Sequence, residues 1–121
     1  IPHDVAGLCL DTGHLFYSGM DPISWLDRHF DRLDYLHFKD VDPQVFRSVI
    51  SRGIDFFSAC AEGVMCPLGS GAIDYPAIKD FLARRGYQGW ITIEQERDPR
   101  HAAGSLQAVT ESLRYLRDVG F

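Results

Sequence analysis

The chain has 121 residues, of which 12 are Lys or Arg and 17 are Asp or Glu, so its formal charge is −5 with the five histidines neutral. This length allows one domain at most, and an acidic chain offers little surface for neutralising phosphates, which argues against nucleic-acid binding. Hydrophobic residues make up 45% of the chain, as in folded globular proteins, but no apolar stretch approaches the roughly 20 residues that span a bilayer.

Three cysteines, Cys9, Cys60 and Cys66, lie in or beside apolar segments. Their odd number differs from the even, spaced set of a disulfide-stapled secreted domain, so a reducing cytoplasm is the expected location. The chain also enters an apolar run almost at once, without an initiator Met or a signal-peptide core. We therefore expect it to be part of a longer protein.

The first half of the chain predicts two strands with a helix between them. Residues 5–11 form a continuous apolar run that ends in an acid, which is typical of a parallel strand covered on both faces. After a glycine-containing loop, an Asp-Pro pair and apolar residues at helical spacing predict a helix over 22–32. Residues 34–40 are rich in aromatic and branched side chains, which predicts the second strand.

The second half is irregular before it returns to the same alternation. Residues 41–73 predict two short helices within a long excursion, a feature that is usually functional. A turn, an N-cap at Asp74 and a proline then introduce an amphipathic helix that ends at Gly86. Residues 90–94 predict the third strand, and regularly spaced apolar residues predict a closing helix over 106–116.

Strands separated by helices predict parallel crossovers and therefore an α/β fold. Three strands are too few to close a barrel of about eight strands and roughly 250 residues. We expect residues 1–121 to form one partial domain, the C-terminal portion of a (β/α)₈ TIM barrel, with about three parallel strands and four or five helices. The open flank of its first strand then requires a partner, either a missing N-terminal barrel half or a second chain.

Ionisable residues gather where the predicted strands end. Alternation along each strand allows Asp11, His37 and Glu94 to converge on one mouth, because the C-terminal strand ends build the active site in parallel α/β folds. One imidazole and two carboxylates form a ligand set suited to Mn²⁺, Co²⁺, Zn²⁺ or Mg²⁺. The pattern therefore predicts a divalent metal site.

Each of these residues also has a purely structural interpretation. An Asp that closes a strand is commonly a turn-former or a helix cap, and a His in an aromatic strand is commonly a hydrogen-bonded core residue. Glu96 is interpreted as a solvated strand end. Two features favour the metal site: the Asp-Thr-Gly-His sequence permits a tight turn that holds His14 beside the mouth, and Lys39 would place an ammonium in the same interior.

Four motifs follow one another along nearly the whole chain: Leu10-Asp-Thr-Gly-His14, Leu36-His-Phe-Lys-Asp40, Gly69-Ser-Gly-Ala-Ile-Asp74 and Gly86-Tyr-Gln-Gly-Trp-Ile-Thr-Ile-Glu94. In this order they resemble the motifs of the xylose-isomerase-like TIM barrel superfamily of sugar isomerases and epimerases. The excursion after the second strand and the Asp-Pro after the third resemble more narrowly the inosose dehydratase family of myo-inositol catabolism.

The resemblance implies a metal-dependent lyase that dehydrates a cyclic keto-polyol such as 2-keto-myo-inositol. It implies metal ligation by Asp11, His37 and Glu94, with Mn²⁺ or Co²⁺ the preferred ion, and a further glutamate ligand on a strand upstream of Ile1. His14 and Lys39 are expected to contact a small sugar or cyclitol substrate and, with Glu94, to be the catalytic residues.

Two other interpretations are compatible with the same residues. A sugar isomerase or ketose 3-epimerase of the same superfamily uses the same enolate but returns the proton instead of losing water. Alternatively, because only one side of the mouth is encoded here, the chain by itself is a catalytically incompetent fragment or a sugar-binding relic.

Overall fold

The computed structural model describes residues 1–121 apart from the side chain of His101. Its elements are β1 (Leu8–Asp11), α1 (Thr12–Tyr17), α2 (Pro22–His29), β2 (Leu33–Phe38), β3 (Asp40–Val41), α3 (Pro43–Ser51), α4 (Phe56–Ala61), β4 (Met65–Cys66), α5 (Tyr75–Arg85), β5 (Trp90–Ile93) and α6 (Ser105–Val119). Short 3₁₀ turns cover Phe30–Arg32 and Pro99–His101. No helix among the described residues is both long and apolar enough to cross a membrane.

A parallel sheet of three strands organises the chain, with β2 between β1 and β5. Alternate residues of the strands, including Leu10, Leu36 and Phe38, point to one face and form the main core with apolar side chains of α2, α5 and α6. The fold is therefore α/β, a partial TIM barrel of three parallel strands flanked by helices, as the sequence predicted.

The opposite face of this sheet is open. Cys9, Tyr35 and Trp90 lie side by side across the three strands, Cys9 is exposed, and 79% of Trp90 is exposed. The expectation that the first strand is covered on both faces is wrong for this chain, because three strands provide no opposite wall. In a closed barrel this face would point to the interior.

Two further elements differ from the sequence-based expectation. The loop expected after the first strand contains a helix, α1, which begins because the Asp11 carboxylate accepts the His14 backbone N–H at 2.8 Å. The long excursion contains not only α3 and α4 but also the antiparallel pair of β3 and β4. This pair and the two helices enclose a second, smaller apolar core.

Asp40, which follows the central strand of the main sheet, holds this excursion in place through hydrogen bonds. Its buried carboxylate accepts four backbone N–H groups, from Val41, Gly69, Gly71 and Ile73, at 2.9 to 3.1 Å. Burial raises the pKa of the Asp40 carboxyl, and the four donors counteract that rise. A Cβ on Gly71 would lie 2.1 Å from Asp40 Oδ1, so the turn needs glycine there.

We expect Asp40→Ala to lower the free energy of unfolding by about 3 kcal/mol or more, because two buried and two partly buried donors lose their acceptor. Asp42→Ala is the matched control, since that carboxylate also accepts two backbone N–H groups, but as the N-cap of α3. Its loss should cost about 1 kcal/mol. Urea unfolding of the intact protein measures both, and equal losses would contradict the anchoring role of Asp40.

Candidate metal centre

Three side chains that the sequence singled out meet at the carboxyl ends of the parallel strands. Asp11 ends β1, His37 lies opposite it on β2, and Glu94 follows β5, where its backbone N–H donates to Phe38 O at 2.9 Å. One ligand atom from each of Asp11, His37 and Glu94 lies within 4.8 Å of the others. His37 Nδ1 is 2.6 Å from Glu94 Oε2 and 3.8 Å from Asp11 Oδ2.

The chemistry of this set fits a divalent cation. Asp11 Oδ2 is buried and has no hydrogen-bond partner among the described residues, whereas Oδ1 caps α1. Ligand atoms that surround an ion at 2.0–2.2 Å must lie roughly 3 to 4 Å from one another, which small side-chain adjustments achieve here. Three protein ligands also leave coordination positions open for water or substrate.

Lys39 lies directly beneath these ligands, with 1% of its side chain exposed. Its Nζ is 3.4 Å from Asp11 Oδ2, 3.6 Å from Glu94 Oε1 and 3.2 Å from Glu96 Oε2. Three carboxylates and one ammonium leave the cluster with a formal charge of −2 when the histidines are neutral. A divalent cation would neutralise that excess in a partly buried site.

His14 stands at the exposed rim of the same cluster. Its Nε2 accepts a hydrogen bond from Lys39 Nζ at 2.9 Å and lies 3.6 Å from Glu96 Oε1. Its ring packs against Phe56 of α4, with the ring centroids 5.4 Å apart. The excursion therefore forms one wall around His14, and 46% of the His14 side chain is exposed.

Glu96 was interpreted from the sequence as a solvated strand end, and this interpretation is wrong. Its side chain is 30% exposed, and its buried Oε2 approaches Lys39. The signal that pointed toward the mouth was its spacing of two from Glu94. Glu94 directly follows β5 and still bonds to Phe38 O, whereas Glu96 lies three residues beyond Ile93, where strand alternation is not reliable.

Gly13 is required by the close approach of Lys39. A Cβ on Gly13 would lie 2.7 Å from Lys39 Cβ and Cγ and 2.9 Å from its carbonyl oxygen. The Asp-Thr-Gly-His sequence thus supplies a carboxylate, a space for the lysine stem and an imidazole in four consecutive residues. It combines these functions in a short helix rather than in the tight turn that the sequence suggested.

The cysteines are poorly suited to nucleophilic chemistry. Burial raises the pKa of Cys60 to about 11 and that of Cys66 to about 12. Partial burial, followed by the charges of Asp11 and Glu94, also raises the pKa of exposed Cys9. All three are free thiols, and the cytoplasmic location stays a prediction. Acid–base chemistry at the mouth is left to the carboxylates, His14 and Lys39.

Comparison with known proteins agrees with the fold. Residues 1–119 match a family model described as a xylose isomerase-like TIM barrel. The chain is 40% identical over 96 residues to the rhizopine catabolism protein MocC of Rhizobium meliloti, an alignment that covers 79% of this chain and 30% of that protein.

Inosose dehydratases also match. The chain is 41% identical over 92 residues to that of Geobacillus kaustophilus, with 76% of this chain and 30% of the relative covered. It is 37% identical over 113 residues to that of Lacticaseibacillus casei, with 93% and 38% covered. The chain spans about a third of the length of these curated relatives. By its family match and its three-stranded barrel segment, the chain belongs to the xylose isomerase-like TIM barrel family.

Proposed function

We propose that this chain supplies one side of the active site of a metal-dependent lyase that dehydrates a cyclic keto-polyol. The observation that carries the proposal is the convergence of Asp11, His37 and Glu94 within 4.8 Å, next to the hydrogen-bonded pair of His14 and Lys39. Relatives named inosose dehydratase support this reaction over others that the same residue types allow.

The proposed ion is Mn²⁺ or Co²⁺, with Zn²⁺ or Mg²⁺ as alternatives, because two carboxylates and one imidazole suit borderline-to-hard divalent ions. Asp11, His37 and Glu94 would hold it, together with a carboxylate from outside this chain. When bound, the ion polarises a carbonyl group and stabilises negative charge that develops beside it.

The residues of this chain then handle the leaving group. In the dehydration, a base from outside this chain takes the proton of the C–H bond next to the ketone, and the electron pair of that bond forms a C=C bond. The adjacent C–O bond breaks, and its oxygen leaves as water after it receives a proton. We assign proton delivery to His14, whose side chain is 46% exposed. Because His14 Nε2 accepts from Lys39, the delivered proton is the one on Nδ1, and Lys39 supplies a proton to Nε2 in its place. Lys39, buried behind it, donates to His14 Nε2 and offsets the charge of the surrounding acids. Direct contact of Lys39 with substrate stays a prediction.

An assay of the intact protein with 2-keto-myo-inositol and Mn²⁺ in D₂O tests the reaction. We expect a new enone absorbance, and we expect His14→Ala to reduce kcat by about 100-fold to 10,000-fold because it removes a general acid. His29→Ala is the matched control, since this histidine stacks on Trp25 in α2 and lies outside the cluster.

The same assay separates the alternatives. Deuterium incorporated into the substrate without loss of water would favour a sugar isomerase or ketose 3-epimerase, because these enzymes return the proton. If the protein shows neither deuterium exchange nor dehydration with any of the four metals, the proposed function is wrong.

A further inference from the structure

The backbone of Lys39 is held by two buried side chains that come from distant parts of the chain. Thr12 Oγ1 accepts the Lys39 backbone N–H at 3.1 Å, and the Tyr75 hydroxyl donates to the Lys39 carbonyl oxygen at 3.0 Å. Thr12 Oγ1 and the Tyr75 oxygen are themselves 3.0 Å apart. Thr12 begins α1 and Tyr75 begins α5, so the two helices meet at this peptide group.

The donors and acceptors of this network are matched. The Thr12 oxygen accepts the Lys39 N–H with one of its two lone pairs, and its single O–H can donate to Tyr75 or to the Lys39 carbonyl, which lies 3.1 Å away. Thr12 and Tyr75 are fully buried, and burial raises the pKa of the Tyr75 hydroxyl, so it stays a donor. Buried networks that are fully satisfied are rigid and depend on each member.

Lys39 needs this support because no strand holds it. It lies between β2, which ends at Phe38, and β3, which begins at Asp40. The chain changes sheets at this residue, from the parallel sheet to the small antiparallel pair. The side-chain network replaces the missing ladder bonds, and Gly13 leaves space for the Lys39 stem. The result is an ammonium directed at His14.

We propose that Thr12 and Tyr75 are positioning residues that clamp the Lys39 peptide and, through the Lys39 ammonium, orient the His14 imidazole. The effect on catalysis rests on the proposed function, whereas the effect on the placement of Lys39 does not. In the sequence, Tyr75 has the features of an ordinary residue at a helix start. It lies 36 residues after Lys39 along the chain, yet its hydroxyl contacts the Lys39 carbonyl oxygen.

Reductive methylation with formaldehyde and cyanoborohydride, followed by peptide mass spectrometry of the intact protein, tests the placement. The chain has two lysines, so partly exposed Lys79 is an internal reference for buried Lys39. We expect Thr12→Val to accelerate methylation of Lys39 by about tenfold and Tyr75→Phe by less, because Thr12 can still bond to the Lys39 carbonyl when the phenol is removed.

Two controls separate positioning from general loosening. Thr12→Ser keeps the hydroxyl and should restore wild-type protection of Lys39. Tyr87→Phe removes a hydroxyl that also donates to a backbone carbonyl, that of Trp90 at 3.0 Å, and should leave Lys39 protected. Unchanged Lys39 methylation in Thr12→Val would overturn the proposal, as would equal acceleration of Lys39 and Lys79.

Turnover gives the second readout. Because the proposed proton transfer depends on the orientation of His14, Thr12→Val and Tyr75→Phe should lower kcat by a larger factor than they raise KM. A raised KM with unchanged kcat would overturn the orienting role. If the protein shows the expected methylation pattern but does not dehydrate keto-polyols, the positioning role of Thr12 and Tyr75 is supported and only the proposed reaction is wrong.

Discussion

Replacement of His37 by Ala is expected to lower the affinity of the intact protein for Mn²⁺ by more than about 100-fold, since outer-shell changes alone cost roughly 10-fold to 100-fold. The reason is geometric: His37 lies on the central strand, and its Nδ1 is 3.8 Å from Asp11 Oδ2 and 2.6 Å from Glu94 Oε2, so its loss removes the central ligand of the three. The double variant with Asp11→Ala should show no measurable binding. Isothermal titration calorimetry with Mn²⁺ gives the affinities.

The chain contains a matched control for this experiment. His3 is also paired with a carboxylate, at 3.8 Å from Asp34, but Asp34 lies near the start of β2, at the opposite end of the strand from the mouth. His3→Ala should therefore leave Mn²⁺ binding unchanged. Unaltered affinity in the double variant of Asp11 and His37 would contradict the metal site, whatever the behaviour of His3→Ala.

Helix starts were predictable from the sequence because local hydrogen bonds decide them. Asp21 and Asp74 were expected as N-caps followed by proline, and each accepts a backbone N–H three residues later, at 2.8 and 2.9 Å. The three parallel strands were predictable as well, since their apolar side chains form the main core. The six residues of α1 and the two-residue strands β3 and β4 are too short to show a period, so the sequence did not reveal them.

In the site too, the residues placed by local sequence patterns were predictable, and those placed by contacts between distant segments were not. The two interpretations of Asp11, helix cap and cluster carboxylate, are both realised, because one oxygen caps α1 while the other faces His37. Strand alternation in the sequence was sufficient to predict that the three proposed ligands lie together. It was not sufficient for Glu96, which lies three residues beyond β5 whereas Glu94 directly follows it, or for Tyr75, whose contact with Lys39 forms only when α5 packs beside the sheet.

The 121-residue chain alone is expected to show turnover more than about 100-fold below that of a completed barrel, because catalysis requires groups held in position around the substrate. Its sheet supplies one wall of the mouth, and the inner face that carries Cys9 and Trp90 is open. We propose that further barrel strands cover this face and contribute the remaining ligand and the base.

Mixing the chain with the strands proposed to close the barrel tests this prediction with two measurements. Turnover with Mn²⁺ should appear on mixing, and Cys9 should become protected from a thiol reagent at pH 8. Cys60 and Cys66 interfere little, because their pKa values of about 11 and about 12 keep nearly all of both thiols protonated at that pH. Turnover by the isolated chain that Glu94→Gln abolishes would contradict the prediction, since one wall would then suffice for the reaction.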